Sequence, residues 1–192
     1  MTSYLLAGPV VEPVGLAEAR AFLRVDDSAE DAFITTLITA ARLHVEGVTG
    51  RALIAQSWRA LRDDWPLDRM VHLPVAPLLA LTAITAYDDE GTGYEIALAQ
   101  FQPETATAPA RLFLPQTIAG MPDLRARNGI EIDYVAGFGT EPEDVPADIR
   151  QAVLSLIGYW FEHRDAVVIA GSGAVVPGGF DRLVAHYRVA RL

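Results

Sequence analysis

The sequence contains no cysteine and no lysine. The first absence excludes disulfides, thiolate nucleophiles and thiolate metal sites. The second excludes a phosphate-loop lysine, a Schiff base and a lysine general base, because all 15 basic residues are arginine. A GC-rich genome is a sufficient cause for it. Long apolar runs are also missing. The longest, Val75–Ile84, is interrupted by Pro77 and Thr82 and falls well short of the ~20 residues a membrane span requires. No basic residue precedes the apolar stretch in Met1–Val11, so a secretory signal is not expected and the cytoplasm is the expected compartment.

Positive charge is scarce as well. The formal net charge of −10 makes the surface repel a phosphate backbone, which argues against a DNA-binding regulator and against tight general binding to nucleic acid. The charge is uneven: residues 1–50 carry three arginines and seven acids, residues 163–192 four arginines and two acids. The net-basic C-terminal stretch fits either a solvated face or an end that seeks an acidic protein partner.

What remains is a globular chain. Its 192 residues, 51% of them hydrophobic, suffice for one domain with a sizeable core or one domain with an inserted lobe. Leu16, Ala19, Phe22 and Leu23 form a short amphipathic turn or two. Ser28-Ala29-Glu30-Asp31 reads as a capping-box variant that opens a helix from about Ala29 to Gly47, with Gly47 and Gly50 as left-handed stops. Phe33, Leu37, Ala40 and His44 make one stripe of it, and Ile34, Ile38, Ala41, Val45 and Val48 the stripe beside it.

From Gln56 to about Gly139 the pattern turns to strands. Trp58, Ala60 and Leu61 begin it, and Val71–Leu73, Leu81–Tyr87, Tyr94–Phe101, Arg111–Leu114 and the period-two run Ile130–Val135 are the further segments expected. A second long helix is expected to open with Pro146 at its first position and is apolar on almost every side from Ile149 to Phe161, so it must be covered all round. Its cover could come from the chain's own β lobe or from a neighbouring subunit. The expected class is therefore α+β: a helical core (1–55 and 140–165), an inserted antiparallel β lobe (56–139), and a Gly-containing tail (166–192) that ends in a short helix.

No pattern marks a catalytic, cofactor-binding or metal-ligating residue. The acidic turn Asp88–Gly93 lacks the spacing of a calcium loop and reads as a hairpin turn. His44, His72, His163 and His186 form no paired motif. Ser172 lacks the setting of a nucleophile elbow, and Gly178-Gly179 has neither the lysine nor the hydroxyl residue of a phosphate loop. A small-molecule-binding or hydrolytic α+β domain would need a convergent polar pocket, for which the sequence offers no set of residues.

Four stretches carry a resemblance. Leu16–Val25 with Asp26-Asp27 resembles the opening of phage head–tail connector (adaptor) proteins, and so does Ala40–Leu53 followed by Gln56 and Trp58. Leu73-Pro74, Pro77-Leu78 and Tyr87-Asp88 are similar to the family's middle. Tyr134–Gly139 with Val145-Pro146, Ile149, Ala152, Trp160, Glu162 and Arg164 is similar to its last third. The family occurs in long-tailed phages, prophages and gene transfer agents. The resemblance implies a non-enzymatic ring of twelve copies in the particle neck, assembled in the bacterial cytoplasm and requiring no cofactor. It implies the portal protein on one side and a stopper or tail-completion protein on the other, with DNA passing through the channel and no sequence-specific binding. A stopper or tail-completion role in the same particle is the nearest alternative.

Within this resemblance the tail is the expected portal contact. Phe180, Leu183 and Tyr187 would be its apolar anchors, and Arg182, Arg188 and Arg191 its charged partners. The other reading of the same residues is a C-terminal helix folded back on its own domain.

Overall fold

The protein is described by a computed structural model covering residues 2–163 and 176–188. It divides into two compact units, one made of Met1–Pro9 and Ala55–Phe138, the other of Val10–Ile54 and Gly139–Leu192. The N-terminal residues thus lie in the β unit, where the sequence had placed them in the helical core. The described part of the tail groups with the helices.

The β unit contains two antiparallel sheets. The larger comprises β1 (Thr2–Ala7), β2 (Gln56–Arg62), β4 (Leu78–Tyr87), β5 (Gly93–Glu95) and β8 (Ile130–Ala136), in the order β1-β2-β8-β4-β5. The smaller comprises β3 (Met70–Leu73), β6 (Gln102–Glu104) and β7 (Ala110–Phe113), in the order β3-β7-β6. β8 is the central strand, and its period-two alternation is used in full. Ile130, Ile132, Tyr134 and Ala136 are buried, while Glu131, Asp133 and Val135 occupy the other face. Tyr134 is fully buried, and its phenolic oxygen accepts a long hydrogen bond of 3.4 Å from the Val75 N–H. Burial pushes the Tyr134 hydroxyl up to about 12.

One expected segment came out differently. Tyr94–Phe101 is strand only to Glu95, after which Leu98–Gln100 forms a 3-10 turn. The Gln100 side chain holds that turn to a later loop: its amide donates to the Ala119 carbonyl at 3.1 Å, and its carbonyl accepts from the Ala119 N–H at 2.7 Å. Strands β1 and β6 had no sequence signal. β1 exposes side chains on both faces, and so shows no alternation to find. The Asp88–Gly93 turn is a hairpin turn between β4 and β5, with the Asp88 carboxylate accepting from the N–H groups of Glu90 and Thr92.

The helical unit holds α1 (Leu16–Leu23), α2 (Asp31–Thr49), α3 (Ala147–Glu162) and the short α4 (Phe180–Val184). Helix α2 begins two residues later than expected, and no side chain caps it. The Asp27 carboxylate instead accepts from the Ala29 N–H and sets a turn ahead of the helix. The helix passes Gly47 and stops at Gly50, whose φ of 70° places it in the left-handed region and whose N–H returns to the Glu46 carbonyl.

Helix α3 packs against α1, α2 and α4, so its nearly all-round apolar surface is covered by helices of its own unit. Its approach to α1 depends on Gly158, where a Cβ would lie 3.0 Å from the Phe22 ring. Pro146 occupies the N-cap position, one residue before the helix, instead of its first turn.

Candidate partner-binding surface

Residues of the C-terminal segment were the only ones that sequence reading selected as a contact site. Residues 176–188 are described there; Arg191 lies outside the described residues. The segment turns at Gly179 into α4, and Phe180, the first residue of that helix, is 2% exposed. Its ring stands 5.4 Å from His44, which meets the edge of Trp160 at 5.7 Å. Phe180 is therefore a core residue of the helical unit, which corrects its expected role as a free anchor. Burial among these rings pulls the His44 imidazole below its ordinary value.

Tyr187 is also engaged internally. Its hydroxyl donates to Asp148 Oδ1 at 2.9 Å, and its main-chain carbonyl accepts from Arg51 Nε at 2.7 Å. Burial and the Asp148 hydrogen bond raise the Tyr187 hydroxyl above its ordinary value. The remaining residues face outward: Leu183 is half-buried, Arg182 is exposed, and Arg188 is exposed and ion-paired with Asp181. Of the residues picked from the sequence, the structure draws Phe180 and Tyr187 inward and leaves Arg182, Leu183 and Arg188 at the surface.

Residues that sequence reading passed over do more to shape each unit. Arg42 is 7% exposed yet lies in the middle of α2. It bonds Glu12 at 2.7 Å and Glu46 at 2.9 Å, and the other oxygens of these carboxylates accept from Thr39 Oγ1 and the Leu53 N–H. One buried cation thus ties the segment before α1 and the segment after α2 to the helix. Glu46 and Leu53 fall within the Ala40–Leu53 stretch that carries the family resemblance, so that stretch marks a fold determinant. In the β unit, Arg59 makes a two-pronged bond to Asp133 at 2.6 and 2.7 Å and reaches Glu131 at 2.7 Å. Tyr87 donates to the same Glu131 oxygen at 3.0 Å, and Arg125 lies 4.4 Å from the Tyr87 ring centre. Partner carboxylates hold the Arg59 guanidinium above its ordinary value.

A cavity of about 440 Å³ is lined in part by Asp63, Asp64, Asp123 and Arg125, and one of about 310 Å³ by Trp65, Pro66, Leu114 and Met121. Neither holds a nucleophile beside a base. Asp63 is already committed to the Asn128 N–H at 2.7 Å. Among the described residues no group of three or more His, Asp or Glu side chains is arranged to hold a metal ion, and no helix is long and apolar enough to cross a membrane.

Comparison with known proteins adds to this geometry. The model of the Phage gp6-like head-tail connector protein family matches residues 14–97, from just ahead of α1 to just past β5. Among curated proteins nothing matches. Among solved structures the chain is similar to one in the neck of an empty gene transfer agent (GTA) particle computed with C6 symmetry, at TM-score 0.82 and 28% identity, covering 100% of this chain and 97% of that one. The same values hold for a chain in the virion of a native gene transfer agent particle. A chain in the neck of a native GTA particle computed with C12 symmetry gives TM-score 0.75 and 26% identity over the same coverage. The connector signature thus runs across α1 to β5, and the likeness to neck chains runs along the whole length of the α+β chain.

Proposed function

We propose that this protein is a structural subunit of a head–tail connector, assembling as a ring of twelve copies between portal and tail around the DNA channel of a phage-like particle. The observation that carries the reading is the likeness to neck chains over 100% of this chain at TM-score 0.82. Twelvefold symmetry in one of those necks supports the ring size.

The net charge of −10 suits a channel subunit, because an acidic surface raises the cost of phosphate adhesion and lets DNA slide past with no sequence-specific hold. The portal protein is the partner on the head side, and a stopper or tail-completion protein the partner on the tail side. Assembly takes place in the bacterial cytoplasm and the product resides in the particle neck. The chain does no catalysis in this role. Its portal contact is the outward side of the C-terminal segment, Arg182, Leu183 and Arg188, extended by Arg191. Phe180 and Tyr187 hold that side in position from within.

Mixing the full chain with portal protein and weighing the complex by native mass spectrometry tests the reading. A closed ring of copies on the portal is expected. Replacing Arg182 and Arg188 together by alanine should weaken portal binding by about tenfold while the fold is kept. A full-length chain and a portal that stay apart under these conditions would sink the connector reading. Saturating divalent cation or nucleotide should leave Tm unchanged to within about a degree, since a ligand that binds only the native state would raise it.

A further inference from the structure

The five-stranded sheet ends in two unlike edges. At one, β5 offers only Gly93–Glu95, next to the acidic turn Asp88-Asp89-Glu90. Short length and charge are the usual means of keeping a sheet edge from pairing with other chains. At the other, β1 runs six residues and, among the described residues, is bonded to β2 alone. In an antiparallel pair, alternate residues turn both N–H and C=O away from the partner strand, so half of the backbone groups in the regular stretch Thr2–Leu5 point outward.

Little protects this edge. β1 contains no proline, and no charged side chain occurs before Glu12. One irregularity between Leu5 and Ala7 disturbs only its C-terminal end. The side chains are open too: Tyr4 is 43%, Leu5 46% and Leu6 45% exposed. They stand consecutively in the strand, three of the large hydrophobic residues exposed among the described residues. Single exposed apolar residues are ordinary, but a cluster of them marks an interaction surface.

Charge selects the occupant. A basic partner would be drawn to the acidic surface and would have no reason to prefer an uncharged edge strand. A second copy carries the same net charge of −10, and it meets least repulsion where no charge is presented. Resting on the connector reading, we propose that the outer edge of β1 is the surface on which the neighbouring copy of this chain docks, by backbone pairing flanked by Tyr4, Leu5 and Leu6. A ring of more than two copies requires a heterologous contact, so this edge meets a different patch of its neighbour. Pairing of β1 with β1 would close a two-fold dimer and stop there.

The absence of native cysteine makes a single introduced thiol a unique probe. Leu6→Cys reports on the β1 edge, and Leu67→Cys, at a position 103% exposed in the loop before β3, serves as the reference. Both should alkylate at similar rates in free subunits. In rings assembled with portal, Leu6→Cys should slow by about tenfold or more as its surface leaves water, with Leu67→Cys unchanged. A benzophenone attached at Leu6→Cys should then yield an adduct of two connector chains, joined at a residue outside β1. Leu6→Lys gives a second measure: it should keep its melting temperature and lose ring formation. Rings in which Leu6→Cys stays as reactive as Leu67→Cys would overturn the proposal and leave the connector reading intact. A β1–β1 adduct, a portal adduct, or rings at undiminished yield from Leu6→Lys would overturn it equally. Failure of the unsubstituted chain to form any ring would count against the connector reading instead.

Discussion

The two units use arginine in different ways. In the helical unit, Arg42, Arg51 and Arg150 join segments far apart in sequence: Arg42 bonds Glu12, Arg51 bonds the Tyr187 carbonyl, and Arg150 bonds Glu18 at 2.8 Å. In the β unit, Arg59 and its carboxylates bridge paired strands that the backbone ladder already joins, Arg59 standing directly across from Asp133. The Arg42 side chain is 8% exposed and that of Arg59 is 28% exposed. Similar chemistry thus serves closure of a helical cluster in one place and reinforcement of a sheet face in the other. Burial sets the energetic difference, because a carboxylate stranded away from water costs far more than one that water reaches.

Arg42→Ala should break this comparison most visibly. It leaves Glu12 and Glu46 without their cation, and a loss of about 4 kcal/mol is expected by analogy with other broken buried pairs. Urea denaturation measures it, and a change below about 1 kcal/mol would mean that water reaches the site freely. Phe180→Ala comes next. It removes a fully buried ring beside His44, with an expected cost of about 3 kcal/mol. The same variant separates the two readings of the tail. A segment merely resting on the surface would tolerate the change, whereas a segment built into the helical core lowers the stability of the unit.

Arg59→Ala should cost less, about 1 to 2 kcal/mol, since it removes charge-assisted hydrogen bonds at a partly wetted site. Raising salt should narrow the gap between wild type and this variant more than it does for Arg42→Ala. Equal losses at Arg42 and Arg59 would show that burial does not set the difference.

Sequence pattern revealed what periodicity encodes. α1 matches its expected bounds of Leu16–Leu23, and β8 shows the full alternation expected from Ile130–Val135. The helical stripe of α2 was legible except for Arg42, a charged residue on a buried face whose partners, Glu12 and Glu46, lie thirty residues before it and four after it. No local pattern could pair Arg42 with Glu12, because only the fold brings them together. β1 escaped for a related reason: it is exposed on both faces, and a strand without a buried face has no alternation. The tail was read correctly as apolar at helical spacing. That spacing fits a docking arm and a folded-back helix equally, and Phe180 beside His44 makes it part of the helical unit in this chain.

The smallest expected effect concerns pH and again contrasts the two units. His44 lies among the rings of Trp160 and Phe180, and burial holds its folded-state value below the ordinary 6.5. Above about pH 6.5 neither folded nor unfolded chain protonates it, so its contribution to stability is complete there. As pH falls below that value the unfolded chain takes up the proton first, and stability declines until pH has passed below the folded-state value. The direction is a loss on the acid side, confined to a window that begins near neutrality. His72, in β3 of the other unit, has an exposed side chain and supplies the contrast. Denaturation midpoints measured between pH 7.5 and 5 for wild type, His44→Leu and His72→Leu should show the slope flattened in the first variant alone. Parallel curves for all three would mean that the aromatic surroundings of His44 do not disfavour its charge, and that the acid-side loss arises from carboxylates elsewhere.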